Sequence, residues 1–293
     1  MSDLFHDDVP FEFIAAVFGV MAATPQHTYQ ILTKRPQRMR EFFEWIDAEA
    51  IMRDVPIGRE WVPADVAVDE ACEAATMPPR MHHNGPPLAQ WPLPNVWLGV
   101  SVEDQARADE RIPVLLECPA ALRFLSCEPL LGEVDLGLSK VECECCPEHV
   151  GKGRWIRLTR TVRSDLPFLP SAGSPVGPGV YRAHSNRHGA LSVTRDNGSR
   201  LGVKPGEFEF LPGIDWVIVG GESGPGAREC NLDGIRSIVR QCKAADVPCF
   251  VKQLGALSLG FRRLKDRKGA DPSEWPEDLR VQKMPRIGGA SCA

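Results

Sequence analysis

The stretch Val96-Trp97-Leu98-Gly99-Val100 is a short, uninterrupted apolar run, and Ser101-Val102-Glu103 follows it at once. A strand that is buried on both faces has this continuous apolar character, as parallel sheets covered by helices require. The pattern recurs four more times, and each run ends in polar, charged or glycine residues. The other runs, with the residues that follow them, are Tyr29–Leu32 with Thr33-Lys34-Arg35, Leu122–Leu125 with Ser126-Cys127-Glu128, Trp216–Val219 with Gly220-Gly221-Glu222-Ser223, and Cys249–Val251 with Lys252-Gln253.

Residues between these runs show helical periodicity. Apolar side chains at helical spacing predict helices that begin near Pro10 and Pro36, and others over Glu103–Leu116, with a break near Pro113, and Leu232–Ala245. Strands that alternate with helices predict right-handed parallel crossovers. Five strands are too few for the usual eight-stranded barrel. The α/β architecture is therefore either an open sheet or an incomplete parallel βα barrel.

Composition excludes several classes of protein. The chain has 293 residues, of which 43% are hydrophobic and 25% charged, and its net charge is −5. This balance argues against a generally basic nucleic-acid binder, although it leaves room for a local basic patch. No apolar stretch approaches the roughly 20 residues that cross a bilayer, and no secretory leader opens the chain, so we expect a cytoplasmic protein without a membrane partner. Its ten cysteines are then expected to be reduced thiols or metal ligands.

Two segments interrupt the strand–helix rhythm. Residues 51–94 are rich in proline and read as an inserted loop. Residues 139–212 contain 11 lysines and arginines against 7 aspartates and glutamates, a net charge of +4 on an acidic chain. We interpret residues 139–212 as an inserted lobe that is small, β-rich and partly irregular. Residues 1–138 and 213–293 then form one discontinuous βα domain.

The residues that follow the five runs are candidates for a ligand site. The carboxyl ends of adjacent parallel strands lie at one edge of a sheet, where functional groups gather in such folds. The alternative is that these charges are solvated loop residues. No nucleophile elbow, Walker loop or zinc-protease helix motif accompanies them. The candidate rim comprises Thr33, Lys34, Arg35, Ser101, Glu103, Ser126, Glu128, Gly220, Gly221, Glu222, Ser223, Lys252 and Gln253.

A separate group of residues in the insertion has the spacing of a metal site. Cys143 and Cys146 have the gap of a zinc knuckle, and His184 and His188 have the gap of its second half. The intervening stretch is longer than usual, so an unmetallated loop of reduced cysteines is an alternative. An iron–sulfur site that uses Cys143, Cys145 and Cys146 is a third, although three such crowded thiolates have poor geometry for one cluster.

Several segments, in this order along the chain, resemble a known family. They include the Ser-Asp-Leu-Phe-His opening and the Gly-Gly-Glu-Ser-Gly motif, and they cover most of the chain outside the two insertions. The segments are Ser2–Pro10, Leu32–Pro36, Pro94–Glu103, Ser126–Gly132, Ile214–Gly226 and Asp266–Arg280. They resemble the phage Gp37/Gp68 family, also called DUF5131, whose function is poorly established and whose full-length members are similar to radical S-adenosylmethionine (SAM) enzymes.

The resemblance implies a partial βα barrel of radical SAM or TIM type that uses S-adenosylmethionine and a [4Fe–4S] cluster. The family's three cluster cysteines lie upstream of the segment that matches Ser2–Pro10, so the resemblance implies an N-terminally truncated chain, from a late start codon or natural loss, that holds no cluster. Whether the chain acts as an enzyme is left open. The first hypothesis is a radical SAM-type domain whose rim binds cofactor or substrate. The alternative is a non-catalytic phage protein whose basic insertion binds nucleic acid or a protein partner of unknown identity, and a non-functional remnant is a third possibility.

Overall fold

The structure is a computed structural model, and it describes residues 3–52, 67, 91–138, 140–141, 151–152, 155–158, 176–185, 191–194, 200–203, 208–211, 213–257 and 264–285. Its helices in these ranges are α1 (Phe11–Ala23), α2 (Pro36–Met52), α3 (Gln105–Glu117) and α4 (Leu232–Ala245). Two short 3-10 turns, Pro272–Glu274 and Glu277–Leu279, lie near the end of the described chain. No described helix has both the length and the apolar character that a bilayer crossing needs.

The five apolar runs form one sheet. Its strands are β1 (Tyr29–Thr33), β2 (Val96–Ser101), β3 (Leu122–Cys127), β11 (Trp216–Gly220) and β12 (Cys249–Gln253), and they lie side by side in that order. The registers of β1 with β2, β2 with β3, and β11 with β12 are parallel. The fold is therefore mixed α/β with a five-stranded parallel sheet, which confirms the α/β class expected from the sequence.

Each strand continues one or two residues beyond the apolar run that predicted it. Thr33, Ser101, Ser126 and Gly220 are strand residues, although the sequence places them after the strands. The reason is that a parallel ladder needs backbone hydrogen bonds and not apolar side chains. Such a ladder continues until the backbone diverges, so side-chain polarity locates a strand's end to within about two residues.

The chain divides into two compact units, and the first comprises Met1–Val102 with Asp109–Cys127. All six residues of β2 and all six of β3 are buried, as expected for strands covered on both faces. An aromatic cluster joins α1 to α2, in which the ring of Phe42 lies 5.2 Å from that of Phe18 and 6.0 Å from that of Phe5. Aromatic pairs at these separations add stability beyond the area that they bury.

Helix α3 does not break at Pro113, which corrects the sequence expectation. The helix runs from Gln105 to Glu117 with Pro113 inside it. Proline removes one backbone donor and disfavours a helix interior. Here Ile112, Leu115 and Leu116 on either side of the proline are buried, and burial of this apolar face outweighs the local preference.

The second unit comprises Glu103–Ala108 with Glu128–Ala293, and it contains β11, β12 and α4. The side chain of Asn231 accepts a hydrogen bond from the backbone N–H of Asp233 and so caps the first turn of α4. The helix ends at Asp246, which adopts the left-handed conformation with φ of 56°. The apolar face predicted for this helix is buried, and it includes Ile235, Ile238 and Cys242.

A second, antiparallel sheet lies within residues 155–210. Its strands are β6 (Trp155–Leu158), β7 (Gly179–Ser185), β8 (Leu191–Thr194), β9 (Arg200–Gly202) and β10 (Phe208–Phe210), in the order β10-β6-β7-β8-β9. Strands β4 (Lys140–Val141) and β5 (Gly151–Lys152) form a separate short pair. The larger sheet has an apolar cluster of its own, built from Ile156, Leu158, Val176, Ala183, Val193, Leu201 and Val203.

Candidate ligand site at the ends of the parallel strands

In the first unit, the residues at the end of β1 surround a carboxylate from the start of the described chain. The Thr33 hydroxyl lies 2.8 and 2.9 Å from the two carboxylate oxygens of Asp3, and the backbone N–H of Lys34 donates to the same carboxylate at 3.1 Å. The Arg35 guanidinium pairs with it at 3.2 Å. Thr33, Lys34 and Arg35 thus hold an internal carboxylate just before the start of α2.

The electrostatics of Asp3 follow from these contacts. Burial of the carboxyl raises its pKa, but hydrogen bonds from Thr33, Lys34, Phe5 and Arg35 outweigh the burial and hold the pKa below its ordinary value. Sequence reasoning did not include Asp3 among the candidate residues. No local signal could have indicated it, because its partners are some 30 residues further along the chain.

Ser101 and Ser126 are buried strand residues that pair with each other in the register of β2 and β3. The Ser101 carbonyl accepts a hydrogen bond from the buried guanidinium of Arg111 at 2.8 Å, and the Ser126 carbonyl accepts one from the backbone N–H of Val102. In both cases the backbone carbonyl makes the bond. These contacts hold the carboxyl ends of β2 and β3 in place.

In the second unit, Glu128 and Lys252 form an ion pair. The Lys252 Nζ lies 3.2 Å from Glu128 Oε2. The two partners differ in exposure: 57% of the Lys252 side chain is exposed, against 15% of the Glu128 side chain. The acid is therefore recessed, and the base extends towards solvent above it.

A β-bulge places Lys252. In the parallel pair of β11 with β12, Val219 pairs with Val251, but the next residue, Gly220, pairs with Gln253. Lys252 is thus the extra residue of the bulge. Bulges are uncommon in parallel pairs, and they re-aim side chains beside functional sites.

The two glycines at the end of β11 make room for this arrangement. A Cβ on Gly220 would lie 2.8 Å from Glu128 Oε1 and 2.9 Å from the Gln253 carbonyl oxygen, and a Cβ on Gly221 would meet the carbonyl of Leu254. Gly221 also exchanges hydrogen bonds with Gln253: its N–H donates to the Gln253 carbonyl, and its carbonyl accepts from the Gln253 side chain. The absence of side chains at these two glycines thus lets Glu128 and the chain after β12 approach the end of β11 closely.

Glu222 and Arg228 form a second ion pair in the same unit. The Arg228 Nε lies 2.7 Å from Glu222 Oε2, and its Nη2 lies 3.2 Å from Oε1, so the contact is bidentate. Hydrogen bonds from the Arg228 side chain and backbone lower the pKa of Glu222 to about 2. Again the base is the more exposed partner, at 58% against 32%. Sequence reasoning missed Arg228 because it lies six residues after Glu222, outside the strand-end motif.

The remaining rim candidates have smaller roles in this geometry. Glu103 is a buried residue whose backbone carbonyl accepts from the N–H of Leu131. Ser223 is exposed in the loop between Glu222 and Arg228. Of the candidate rim, the second unit therefore brings Glu128, Gly220, Gly221, Lys252 and Gln253 together around the bulge.

Comparison with known proteins agrees with the segment pattern. The model of the DUF5131 family, described as a protein of unknown function, matches residues 1–277. The chain belongs to the DUF5131 family. No curated protein and no solved structure matches it. The match includes every strand-end residue described above.

Most of the zinc ligands predicted for this DUF5131 protein lie outside the part of the chain that the structure describes. Cys143, Cys146 and His188 lie outside the described residues, and His184 is described only as a strand residue whose backbone pairs with Ser192 in β8. Among the described residues there is no group of three or more metal-ligating side chains.

Described cysteines of the DUF5131 chain lie in its interior. Burial raises the pKa of the Cys118 thiol to about 12 and that of Cys230 to about 11. Both thiols are therefore protonated at neutral pH. They pack as small apolar groups in the interior.

Proposed function

We propose that this DUF5131 chain forms a partial βα barrel of radical SAM type, related to the phage Gp37/Gp68 proteins, and that its strand ends bind a small molecule. The observation that carries the proposal is the Glu128–Lys252 pair on its parallel bulge. Acidic and basic groups on rigid strand ends are a common basis for ligand sites in α/β folds. The buried thiols of Cys118 and Cys230 are consistent with a reducing, cytoplasmic setting.

The strand order supports a partial barrel over a doubly wound sheet. All five parallel strands lie in the order in which they occur along the chain. A doubly wound sheet reverses direction at a switch point, whereas successive right-handed crossovers without reversal generate the sequential order of a βα barrel. Residues 139–212 are then an insertion between the third and fourth strands of this barrel.

S-adenosylmethionine fits the donor set of the bulge site. Its amino-acid end carries an ammonium and a carboxylate, which match the Glu128 carboxylate and the Lys252 ammonium. A [4Fe–4S] cluster does not fit the described residues, because they contain no group of three metal-ligating side chains. The function proposed for this chain is therefore ligand binding, and no reaction step is assigned to its residues.

The test is equilibrium binding of S-adenosylmethionine, measured by isothermal titration calorimetry. We expect saturable binding to the wild-type protein, and about tenfold weaker binding to Glu128→Gln, because a charge-assisted hydrogen bond is lost. Glu133→Gln is the matched control, since Glu133 is an exposed acid nearby in the chain. An absence of saturable binding to folded wild-type protein, or equal weakening in both variants, would contradict the proposal.

The net charge of residues 139–212 supports a second candidate function. This stretch carries +4 in a chain whose net charge is −5. In this alternative it binds nucleic acid or an acidic protein partner, with or without zinc at Cys143, Cys146, His184 and His188. Affinity for duplex DNA, measured by fluorescence anisotropy, should then fall steeply between 50 and 200 mM salt, by about tenfold or more.

Charge-neutralised variants separate the two candidate functions. Replacement of Arg154, Arg157 and Arg160 by glutamine should weaken DNA binding. Replacement of the exposed residues Arg240, Lys243 and Arg267, outside the insertion, should not. DNA binding that persists at high salt, or that responds equally to both triple variants, would rule out this second function.

A further inference from the structure

Both ion pairs at the strand ends of the second unit have the same orientation. In each, the carboxylate is the more buried partner, and the cation is more than half exposed: Lys252 at 57% above Glu128 at 15%, and Arg228 at 58% above Glu222 at 32%. Each pair has no net charge but a strong dipole. A ligand that approaches from solvent therefore meets positive charge first, although the count of formal charges is balanced.

The cations also keep unused donor capacity towards solvent. A lysine ammonium has three N–H donors, and Glu128 takes one from Lys252. The guanidinium of Arg228 uses its Nε and one N–H of Nη2 for Glu222, which leaves the Nη1 amino group directed elsewhere. Donors of these types, on cations held in position by carboxylates, recognise the oxygens of anionic groups.

Backbone hydrogen bonds hold the segments that carry both cations. Lys252 is held by the bulge between β11 and β12, and Glu128 is held where the backbone N–H of Leu130 donates to the Gly220 carbonyl at 3.0 Å. The loop that carries Arg228 is closed at its base by hydrogen bonds from Ala256 to the Glu222 carbonyl and from Cys230 to the Leu257 carbonyl. The backbone that carries each cation is therefore held in place before a ligand binds, which lowers the entropic cost of binding.

We infer that the outward-facing cations Lys252 and Arg228 use their remaining donors to bind phosphate, and that a phosphate-bearing small molecule binds there in addition to the S-adenosylmethionine proposed above. Phosphate is favoured over a carboxylate because it carries up to two charges and accepts hydrogen bonds over three or four oxygens. A single carboxylate offers one charge and two oxygens. The inference rests on the strand-end location proposed above, but it does not depend on S-adenosylmethionine as the cofactor.

The test uses inorganic phosphate as the probe and ¹⁵N-labelled full-length protein. We expect saturable shifts of the amide resonances of Gly220, Gly221 and Arg228 during a phosphate titration, with chloride at matched ionic strength as the reference. Lys252→Gln and Arg228→Gln should each weaken phosphate binding about tenfold. Lys252→Arg, which keeps the charge, should retain binding to within about threefold.

Matched controls come from α4 of the same unit. Lys243→Gln and Arg240→Gln remove exposed cations outside the site and should leave phosphate affinity unchanged. The inference would be overturned by shifts that chloride reproduces, by equal weakening in the control variants, or by no saturable binding to wild type. Should Lys252→Gln fail to fold, Arg228→Gln and Lys252→Arg still decide the question. Binding of S-adenosylmethionine without phosphate would overturn this inference alone, and phosphate binding without S-adenosylmethionine would overturn the proposed cofactor alone.

Discussion

At the scale of single residues, Gly220 determines whether the bulge site can form. Its missing side chain leaves the space in which Glu128 Oε1 and the Gln253 carbonyl lie. Both neighbours are constrained, the first by its ion pair with Lys252 and the second by the β11–β12 ladder. An added methyl group therefore cannot be accommodated by the free end of a flexible side chain.

Gly220→Ala is expected to destabilise the protein by about 1–3 kcal/mol, because overpacking displaces the Glu128 carboxylate or the strand. Gly132→Ala is the control, since a Cβ there meets no atom within 4 Å. That change should stay within about 0.5 kcal/mol. Urea denaturation of the two variants measures the difference, and equal stabilities would show that the strand end tolerates the methyl group.

Asp3 predicts a dependence of stability on pH. The pKa of its carboxyl is lower in the folded than in the unfolded protein, so the folded state favours the charged form. The stabilisation is present above the unfolded pKa of about 4 and is lost as the pH falls through the folded pKa. Asp3→Asn should thus cost about 1–2 kcal/mol at pH 7 and much less at pH 2, by denaturation at both values.

Asp7→Asn is the control for Asp3→Asn, because Asp7 is an exposed carboxylate of the same segment. It should change stability little at either pH. A cost for Asp3→Asn that does not shrink in acid would mean that steric fit, and not charge, holds the segment to β1 and α2.

At the scale of elements, packing between α1 and α2 depends on an aromatic cluster that helical periodicity anticipated. Both helices carry apolar residues at helical spacing, and their buried rings meet at Phe42. The helical spacing of apolar residues in the sequence predicted the apolar face of each helix. It did not indicate that the rings of Phe5 and Phe18 contact the same partner, because they lie on different segments.

Phe42→Ala should lower the free energy of unfolding by about 3–5 kcal/mol, since a fully buried ring is removed and a cavity remains. Phe13→Ala removes the same group from a position that is 57% exposed on α1. The second variant should cost about 1 kcal/mol or less. Thermal and urea denaturation compare the two, and similar losses would mean that Phe13 is covered in solution.

Two other features at the scale of elements are the bulge in β12 and helix α3, which continues through Pro113. Residue preference predicted a break at Pro113, but buried neighbours hold the helix together. At β12, the pairing with β11 inserts Lys252 as an extra residue, which no residue preference had indicated. Tertiary packing overrides a residue's secondary-structure preference when buried apolar side chains contribute a few kcal/mol and that preference is weak.

At the scale of the whole molecule, the alkylation of the buried thiols measures whether the folded protein unfolds. Cys118 and Cys230 are protonated and inaccessible in the folded protein, since burial raises the pKa of each. Iodoacetamide at pH 8 should leave both unmodified in native buffer and alkylate both in 6 M guanidinium chloride, as measured by peptide mass mapping. Rapid native alkylation of either would show that its surroundings open locally.

Most of the fold was predictable from local patterns. Continuous apolar runs indicated all five parallel strands, and periodicity indicated the four long helices, because buried faces demand those side-chain patterns wherever the elements lie. Of the site, the sequence supplied Glu128, the two glycines and Lys252 as separate candidates at strand ends. It could not supply Asp3 or Arg228, whose significance depends on partners that no spacing rule connects to them.

The amino-acid sequence by itself determined the secondary structure and the α/β class, because both follow from interactions between near neighbours and from the burial of apolar side chains. The tertiary structure decided the pairing of Glu128 with Lys252, 124 residues apart, and the outward direction of both exposed cations. Those features arise from strand register and from a single extra residue in one ladder. Register is set by the sum of many long-range contacts, so no local stretch of sequence encodes it.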